Sequence, residues 1–268
     1  MNIKRAIYSS NQNKDYSEFE IITKKTWNSI NFLSTHIKVN QNIISLKEKN
    51  LFLEFNFNDE AFLAKCIRLF IPYFFQKDFC YLSDIDIIPL NRDYFTNDID
   101  FNSNNFYIFR ANKIINSQIP ICWNSAKGVV WSEIFNISSE NKIVKTINNW
   151  HSESKNSSYL NTYYDQLMLN QYLKTYKEKF PKRIIYLDDE QKHFSRLDRK
   201  NYKNTSKMII SNHKFSDFHM PRPYSRYKLL INLIKNSYLS NKLFLRLIFR
   251  ILSFFYILFI KFSPWNRS

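Results

Sequence analysis

An α/β fold, with a mostly parallel sheet flanked by helices, is predicted by three features of this 268-residue sequence. Short apolar runs alternate with helical patterns through the first half, the rhythm of βαβ units. One run, FCYL at the head of FCYLSDIDIIPL over 79–90, is apolar enough for a buried central strand. A content of 44% hydrophobic and 18% aromatic residues supports a packed core and argues against general disorder.

Taken in order, residues 4–9 read as the first strand. Asp15, with Glu18 three residues on, forms a capping box. Phe19, Ile22, Trp27 and Ile30 then follow at helical spacing, and 33–39 reads as a second strand. Over 58–70, capped by Asn58 or Asp59, the residues Phe62, Leu63, Cys66, Ile67 and Phe70 form one apolar stripe, with Arg68 off it. Pro72 ends that helix, and the central strand follows at 79–83. Further strands are expected at 105–110, 119–123, 183–187 and 207–210, and helices at 129–135, 141–150 and 161–172. No internal repeat is present.

Gly128 is the only glycine, which excludes Gly-rich phosphate cradles. The three cysteines Cys66, Cys80 and Cys122 lie far apart in apolar surroundings, as reduced core residues do, without metal or disulfide spacing. No secretory signal opens the sequence, so a cytoplasmic location is expected.

The formal charge is +16, unevenly spread: after Asp217 there is no further acid, while nine Lys or Arg follow. The chain is therefore divided into a domain over 1–223 and a basic amphipathic helical tail over 224–268. Within the tail, 243–262 is apolar apart from Arg246, Arg250 and Lys261. Its uncharged stretch, 251–260, is short of the ~20 residues of a spanning helix. A helix lying in the interface, with basic residues on lipid headgroups, is expected; a buried C-terminal helix is the alternative. The partner implied is an anionic membrane surface, on the inner face of the membrane, and not nucleic acid.

Chemistry concentrates at Asp84 and Asp86. Two acids at i and i+2 on extended chain point the same way, and at the end of a strand they reach the rim where α/β proteins bind ligands. Mg²⁺ and Mn²⁺ favour carboxylate and phosphate oxygens, and such an ion neutralises the charge that grows on a leaving diphosphate.

FCYLSDIDIIPLNRDYF resembles the DxD segment of GT-A-fold glycosyltransferases, particularly a bacterial and viral group. Arg68-Leu69 with Pro72 is similar to the helix preceding that segment. PICWNSAKG over 120–128 resembles its acceptor-side loop, Tyr164-Asp165-Gln166 its DQ motif, and DFHMPRP over 217–223 its late histidine. The likeness spans about residues 5–223. It implies a Rossmann-like GT-A domain and a metal-dependent hexosyltransferase. The sugar would move from a nucleotide-diphosphate sugar to a hydroxyl of a membrane-associated glycan or glycolipid, with Mn²⁺ or Mg²⁺ as cofactor. By that resemblance Asp84, Asp86 and His219 hold the metal, and Asp84 contacts metal or ribose.

Tyr8 and Ser9 match where such enzymes hold base and ribose. Arg68 either clamps the diphosphate or pairs with a core carboxylate. Arg222 is placed to neutralise diphosphate, although His219-Met220-Pro221-Arg222-Pro223 lacks the glycine of the longer H-F-x-G-x-x-K-P-W motif of retaining galactosyltransferases and glycogenin. Asp165 either takes the acceptor's proton or orients sugar hydroxyls, and Gln166 bonds sugar or acceptor. Asn124 and Ser125 are expected acceptor contacts. His193, Arg196 and Arg199 form a basic cluster that either meets an acceptor phosphate or is a solvated patch, the latter favoured. Two other classes compete. A metal-dependent phosphoesterase would want a second metal site, and the five scattered histidines offer no HxD or HxH cluster. A basic membrane- or nucleic-acid-binding protein would need no acid pair at all.

Overall fold

The computed structural model describes residues 3–155, 163–202, 206–211, 213–240 and 242–262. Strand β1 (Lys4–Ser10) leads into a short helix α1 (Lys14–Ser17) and then α2 (Glu20–Ser29). The cap is Asn13, whose side chain accepts the Asp15 N–H at 2.9 Å, and not Asp15 itself. Strands β2 (Leu33–Asn40), β3 (Ile43–Leu46) and β4 (Leu51–Glu54) form a meander, followed by α3 (Glu60–Ile67). Asp59 caps α3 by accepting the Phe62 N–H at 3.0 Å. The central strand β5 (Phe79–Leu82) is wholly buried. Next come β6 (Ile87–Pro89), α4 (Arg92–Thr96), β7 (Phe106–Phe109), β8 (Ser125–Lys127) and α5 (Gly128–Phe135).

Helices α6 (Glu140–Ser154) and α7 (Tyr164–Lys179) precede β9 (Ile184–Leu187) and β10 (Ser195–Asp198). Helix α8 (Ser206–Ile210), β11 (Phe215–His219), α9 (Tyr224–Leu239) and α10 (Leu243–Phe262) complete the described chain. Residues 119–123 form a loop where a strand was expected, and the strand begins only at Ser125. The expected strand at 207–210 lies in α8: a short Met-Ile-Ile run satisfies either period. The start of the helix expected at 161–172 lies outside the described residues.

The main sheet has the order β4-β3-β2-β1-β5-β8-β7-β9. β2, β1 and β5 are parallel, as are β7 and β9, and β8 is antiparallel to both its neighbours. Only β3 and β8 run against the rest, so the sheet is mostly parallel in direction.

Period-two alternation sends successive side chains to opposite faces. Ile7, Cys80 and Leu82 join one core with Phe62, Ile67, Trp131 and Trp150. Ala6, Tyr8, Phe79 and Tyr81 join the other, with Trp27, Phe95 and Trp123. Helices α3, α5, α6 and α7 cover the first face and α2 and α4 the second. Leu230, Ile231 and Ile234 of α9 and Ile257 of α10 belong to that second core, so these helices pack on the domain's own interior.

A smaller sheet, β10-β11-β6, stands beside the first. β11 pairs in parallel with β10, Asp198 opposite His219, and antiparallel with β6, His219 opposite Ile87. The Met220 N–H then donates to the Asp86 carbonyl at 2.9 Å. A histidine late in the chain is thereby fixed beside the paired acids.

Gly128 starts α5 hard against the backbone of the 72–75 turn. A Cβ there would lie 2.3 Å from the Phe75 carbonyl oxygen and 2.4 Å from that of Pro72. Neither carbonyl is the mobile end of a side chain, so a larger residue has to move backbone. Gly128→Ala is expected to cost roughly 1–3 kcal/mol of stability, the usual range for overpacking, read from urea denaturation. A change below about 0.5 kcal/mol would contradict this packing.

Candidate active site

The chain leaves β5 through Ser83, whose N–H donates to the Ile7 carbonyl at 2.8 Å, and turns at once: the Ile87 N–H bonds back to Asp84 at 3.3 Å. Asp84 and Asp86 sit on this turn, just past the extended segment, and both line one cavity of about 580 Å³. That size suits a small-molecule ligand. Because the backbone turns between them, their carboxylates meet different neighbours.

Asp84 faces Arg68. The buried Arg68 guanidinium donates from Nη1 to Asp84 Oδ1 and, at 3.0 Å, to the Ser83 carbonyl. Its Nη2 donates to Asp165 Oδ2 at 3.1 Å. The Cys122 thiol donates to the other oxygen of Asp84 at 3.1 Å. Burial alone would lift the Asp84 carboxyl, but the charge and hydrogen bond of Arg68 outweigh it and hold Asp84 well below the usual range. Asp165, in the first turn of α7 and 2% exposed, goes the other way. Burial raises its carboxyl, and the attraction of Arg68 does not fully offset that, with Asp84 repelling in addition. Of the two roles expected for Arg68, the structure has it paired with carboxylates at the cavity wall, buried Asp165 and half-buried Asp84.

Asp86, 4% exposed, turns toward the smaller sheet. Its Oδ2 accepts from Arg199 Nη1 at 2.8 Å and lies 3.4 Å from Arg222 Nε and 3.5 Å from His219 Nε2. His219 Nδ1 lies 3.0 Å from Asp198 Oδ2. The Arg222 guanidinium covers the Tyr16 ring at 4.4 Å.

Among the described residues, no three His, Cys, Asp or Glu side chains gather as a ready ion cage. Hard divalent ions commonly take one or two carboxylates and complete their shell with phosphate oxygens and water. Asp84, Asp86 and His219 are the residues on this wall that could take part in such a shell, and in this structure Asp84 is paired with Arg68 and Asp86 with Arg199.

Ser9, Gln166, Asp165, Arg68, His219 and Arg222 all line this cavity with the paired acids. Tyr8 does not. Alternation along β1 sends its ring into the second core, fully buried and stacked on His36 with ring centroids 5.3 Å apart. Its neighbour Ser9 instead donates to the Ala64 carbonyl at the cavity rim. Asn124 and Ser125 are likewise buried away from the cavity, Asn124 donating to the Pro120 carbonyl at 2.8 Å. Pro120, Ile121 and Cys122 form that stretch of wall.

Arg196 and Arg199 are wall residues and not a solvated patch, whereas His193 stays outside. Arg196 donates to the fully buried Asp217 at 2.6 Å, and Trp123 Nε1 donates to the same carboxylate at 2.9 Å. Asp198 and Arg110 were not singled out from sequence. The available signal for Asp198 was its place between Arg196 and Arg199. For Arg110 it was its position at the end of an apolar strand, where the structure gives it φ 59°.

No protein-family model matches the sequence, and no curated protein matches it. Solved structures resemble it in part. A glycosyltransferase involved in glycosylation of the major capsid of PBCV-1 is 14% identical with TM-score 0.46, over 83% of this chain and 96% of that one. The glycosyltransferase GlyE of Streptococcus pneumoniae TIGR4 is 12% identical with TM-score 0.47, over 100% of this chain and 66% of that one. The galactosyltransferase LgtC, in complex with donor and acceptor sugar analogs, is 10% identical with TM-score 0.38, over 90% of this chain and 99% of that one.

Removing Arg68 strands two carboxylates, one of them buried. Arg68→Ala is expected to lower stability by about 3–5 kcal/mol, as breaking a buried ion pair from one side does, with Arg68→Lys falling between variant and parent. Urea denaturation measures both. A loss under about 1 kcal/mol for Arg68→Ala would show that the pair is not structurally required.

Proposed function

We propose that this chain is a metal-dependent glycosyltransferase of the GT-A type, moving a sugar from a nucleotide-diphosphate sugar to a hydroxyl of a glycan or glycolipid acceptor. One observation carries the reading. Residues picked from five separated stretches of sequence, for one kind of chemistry, line a single cavity at the end of the central strand.

Asp84, Asp86 and His219 would hold Mn²⁺ or Mg²⁺. When bound, the ion supplies a positive charge against the negative charge growing on the departing diphosphate. Arg222 and Arg199 lie beside Asp86 and offer planar guanidinium donors to phosphate oxygens. Ser9 lines the cavity at the end of β1, where it would meet the nucleoside portion. Asp165, held by Arg68 on the cavity wall, would either take the acceptor hydroxyl's proton or orient sugar hydroxyls. Gln166 beside it hydrogen-bonds sugar or acceptor.

An acceptor in a membrane calls for an enzyme at the membrane, and the inner face of an anionic membrane is the proposed location. α10 is long and apolar enough to cross a bilayer by length and composition, with mean hydropathy 2.2 over Leu243–Ile260. Its Arg246, Arg250 and Ser253 side chains, however, make contacts within the protein. Ser253 and Ser237 hydroxyls lie 3.2 Å apart, Arg246 donates to the Ser240 carbonyl, and Arg250 lies over the Tyr238 ring at 5.6 Å. The opposite face exposes Phe244, Leu247, Ile251, Phe255 and Phe259 at helical spacing. This supports a helix lying in the interface, with Arg246 and Arg250 engaged at the C-terminal end of α9 in place of the expected headgroup contact.

Two outcomes are expected. Screening nucleotide sugars with the full chain should find one hydrolysed or transferred only with Mn²⁺ or Mg²⁺, and Asp86→Ala should slow it at least about a hundredfold, since a metal supplies several kcal/mol. Turnover that ignores the metal and survives Asp86→Ala would end the reading. In flotation assays the chain should bind vesicles containing anionic lipid. Burial of a Phe is worth about 1.5–3 kcal/mol, so Phe255→Ser with Phe259→Ser should weaken binding more than tenfold. Equal flotation of that variant would remove α10 as the contact.

A further inference from the structure

With Arg246 and Arg250 engaged at the end of α9, the outward face of α10 is apolar, and the cations that meet an anionic surface have to lie elsewhere. Helix α9 is flanked by α10 on one side and by α2 on the other. The Ser237 and Ser253 hydroxyls, 3.2 Å apart, join α9 to α10. At the other flank the Ser225 N–H donates to Glu18 Oε2 at 3.1 Å, and the Tyr224 and Phe19 rings meet with centroids 5.6 Å apart. Ile22 and Trp27 of α2 share one core with Leu230, Ile231 and Ile234 of α9. What the two helices leave outside is basic and apolar together. Ile21 and Lys25 lie on one exposed face of α2, and Lys228 and Leu229 are exposed on α9. Lys235 is half-buried on α9, and burial followed by the nearby Lys25 charge holds its ammonium below the ordinary lysine value. Among the described residues no ion pair reaches Lys25, Lys228 or Lys235. No acid follows Asp217, and the acids at the head of α2 are engaged: Glu18 by the Ser225 N–H, and Glu20 by Lys38 at 2.8 Å and His36 at 3.2 Å.

We infer that the α2–α9 surface around Lys25, Lys228 and Lys235 binds the anionic headgroups of a phospholipid bilayer, while the apolar face of the neighbouring α10 enters the acyl boundary. The inference rests on the membrane reading of α10 and assigns the charged half of that contact. Charge complementarity selects the occupant. Lysines held together without an acid of their own attract phosphate, and Ile21 and Leu229 beside them give the mixed basic and apolar surface that interfacial binding uses. Nucleic acid would meet the same charges but leave the apolar side chains of α10 uncovered. The surface also lies next to the proposed chemistry. Arg222 lines the cavity and α9 begins at Tyr224, so headgroups held along α9 adjoin the element that leads out of the cavity wall.

The test is flotation of the full chain with vesicles of phosphatidylcholine alone and of phosphatidylcholine mixed with phosphatidylglycerol. At low salt the wild type should bind the mixed vesicles more tightly and lose that preference as salt screens it. A basic residue near an anionic surface is worth about fivefold in binding, so the exposed pair Lys25→Gln with Lys228→Gln should weaken binding to mixed vesicles by about tenfold or more. Adding Lys235→Gln should weaken it further, with binding to neutral vesicles unchanged, and arginine at the same three positions should restore it. A control removes equal charge from the other face of the sheet: Lys145→Gln on α6 with Lys174→Gln and Lys179→Gln on α7, all exposed. Its effect should stay below about twofold, because charges more than a Debye length from the bilayer are screened. Equal losses in the two triple variants, or undiminished binding of the first, would overturn the assignment while leaving α10 as a contact. So would a wild type that prefers duplex DNA to mixed vesicles at the same salt. A wild type that floats with neither vesicle would remove the membrane reading of α10 itself, and this inference with it.

Discussion

A single buried guanidinium, Arg68 just past the end of α3, holds the floor of the cavity together. It is shared by Asp84, from the turn after β5, and Asp165, from the start of α7. Without it the buried Asp165 carboxylate would stand beside half-buried Asp84 with no compensating charge, and Asp165 above all would be driven toward protonation. With it, Asp84 stays ionised while Asp165 is lifted by burial. Two acids on one arginine thus acquire different chemical characters. The helix, the central strand and the later helix are also tied to each other at the point where the cavity opens.

The second half of the cavity depends on strand pairing. The small β10-β11-β6 sheet is built on the chain that follows the acid pair, so Asp86, the residue just before β6, is held next to His219 by backbone pairing. Charges there are compensated in turn: Asp217 by Arg196 and Trp123, and Asp86 by Arg199 with Arg222 nearby. Burial would raise the Asp217 carboxyl, yet the two arginines Arg196 and Arg110 and the Trp123 hydrogen bond bring it below its ordinary value. The stability this contributes is present above the unfolded carboxylate range and fades as pH falls through the lower folded value.

Much of this was legible in the sequence where local and long-range signals agreed. β1, β2, α3 and β5 declare themselves by apolar runs, a capping aspartate and helical spacing. Arg68, Asp84, Asp86, Asp165 and His219 stood out as charges at the ends of such elements. The failures have physical causes. Tyr8 was placed by its proximity to the end of β1, but one step of alternation decides between core and cavity. Residues 119–123 look like a strand because they are apolar; they are apolar because they line a cavity wall and a core. β10 reads Ser-Arg-Leu-Asp, with one buried apolar residue, and no periodicity announces it. Arg196 and Arg199 therefore looked like surface charge and Asp198 was not singled out, when the partners of Arg196 and Asp198 lie on β11 about twenty residues on and that of Arg199 is Asp86.

The central claim is that a diphosphate is held at Asp86 through a divalent ion. Calorimetric titration of the full chain with nucleoside diphosphates, with and without Mn²⁺, tests it most directly. The account predicts one nucleoside diphosphate that binds with Mn²⁺ present and loses that binding when the metal is withheld or Asp86 is replaced by alanine. A folded protein that binds none of them with Mn²⁺ present, or binds one equally well without it, would contradict the account.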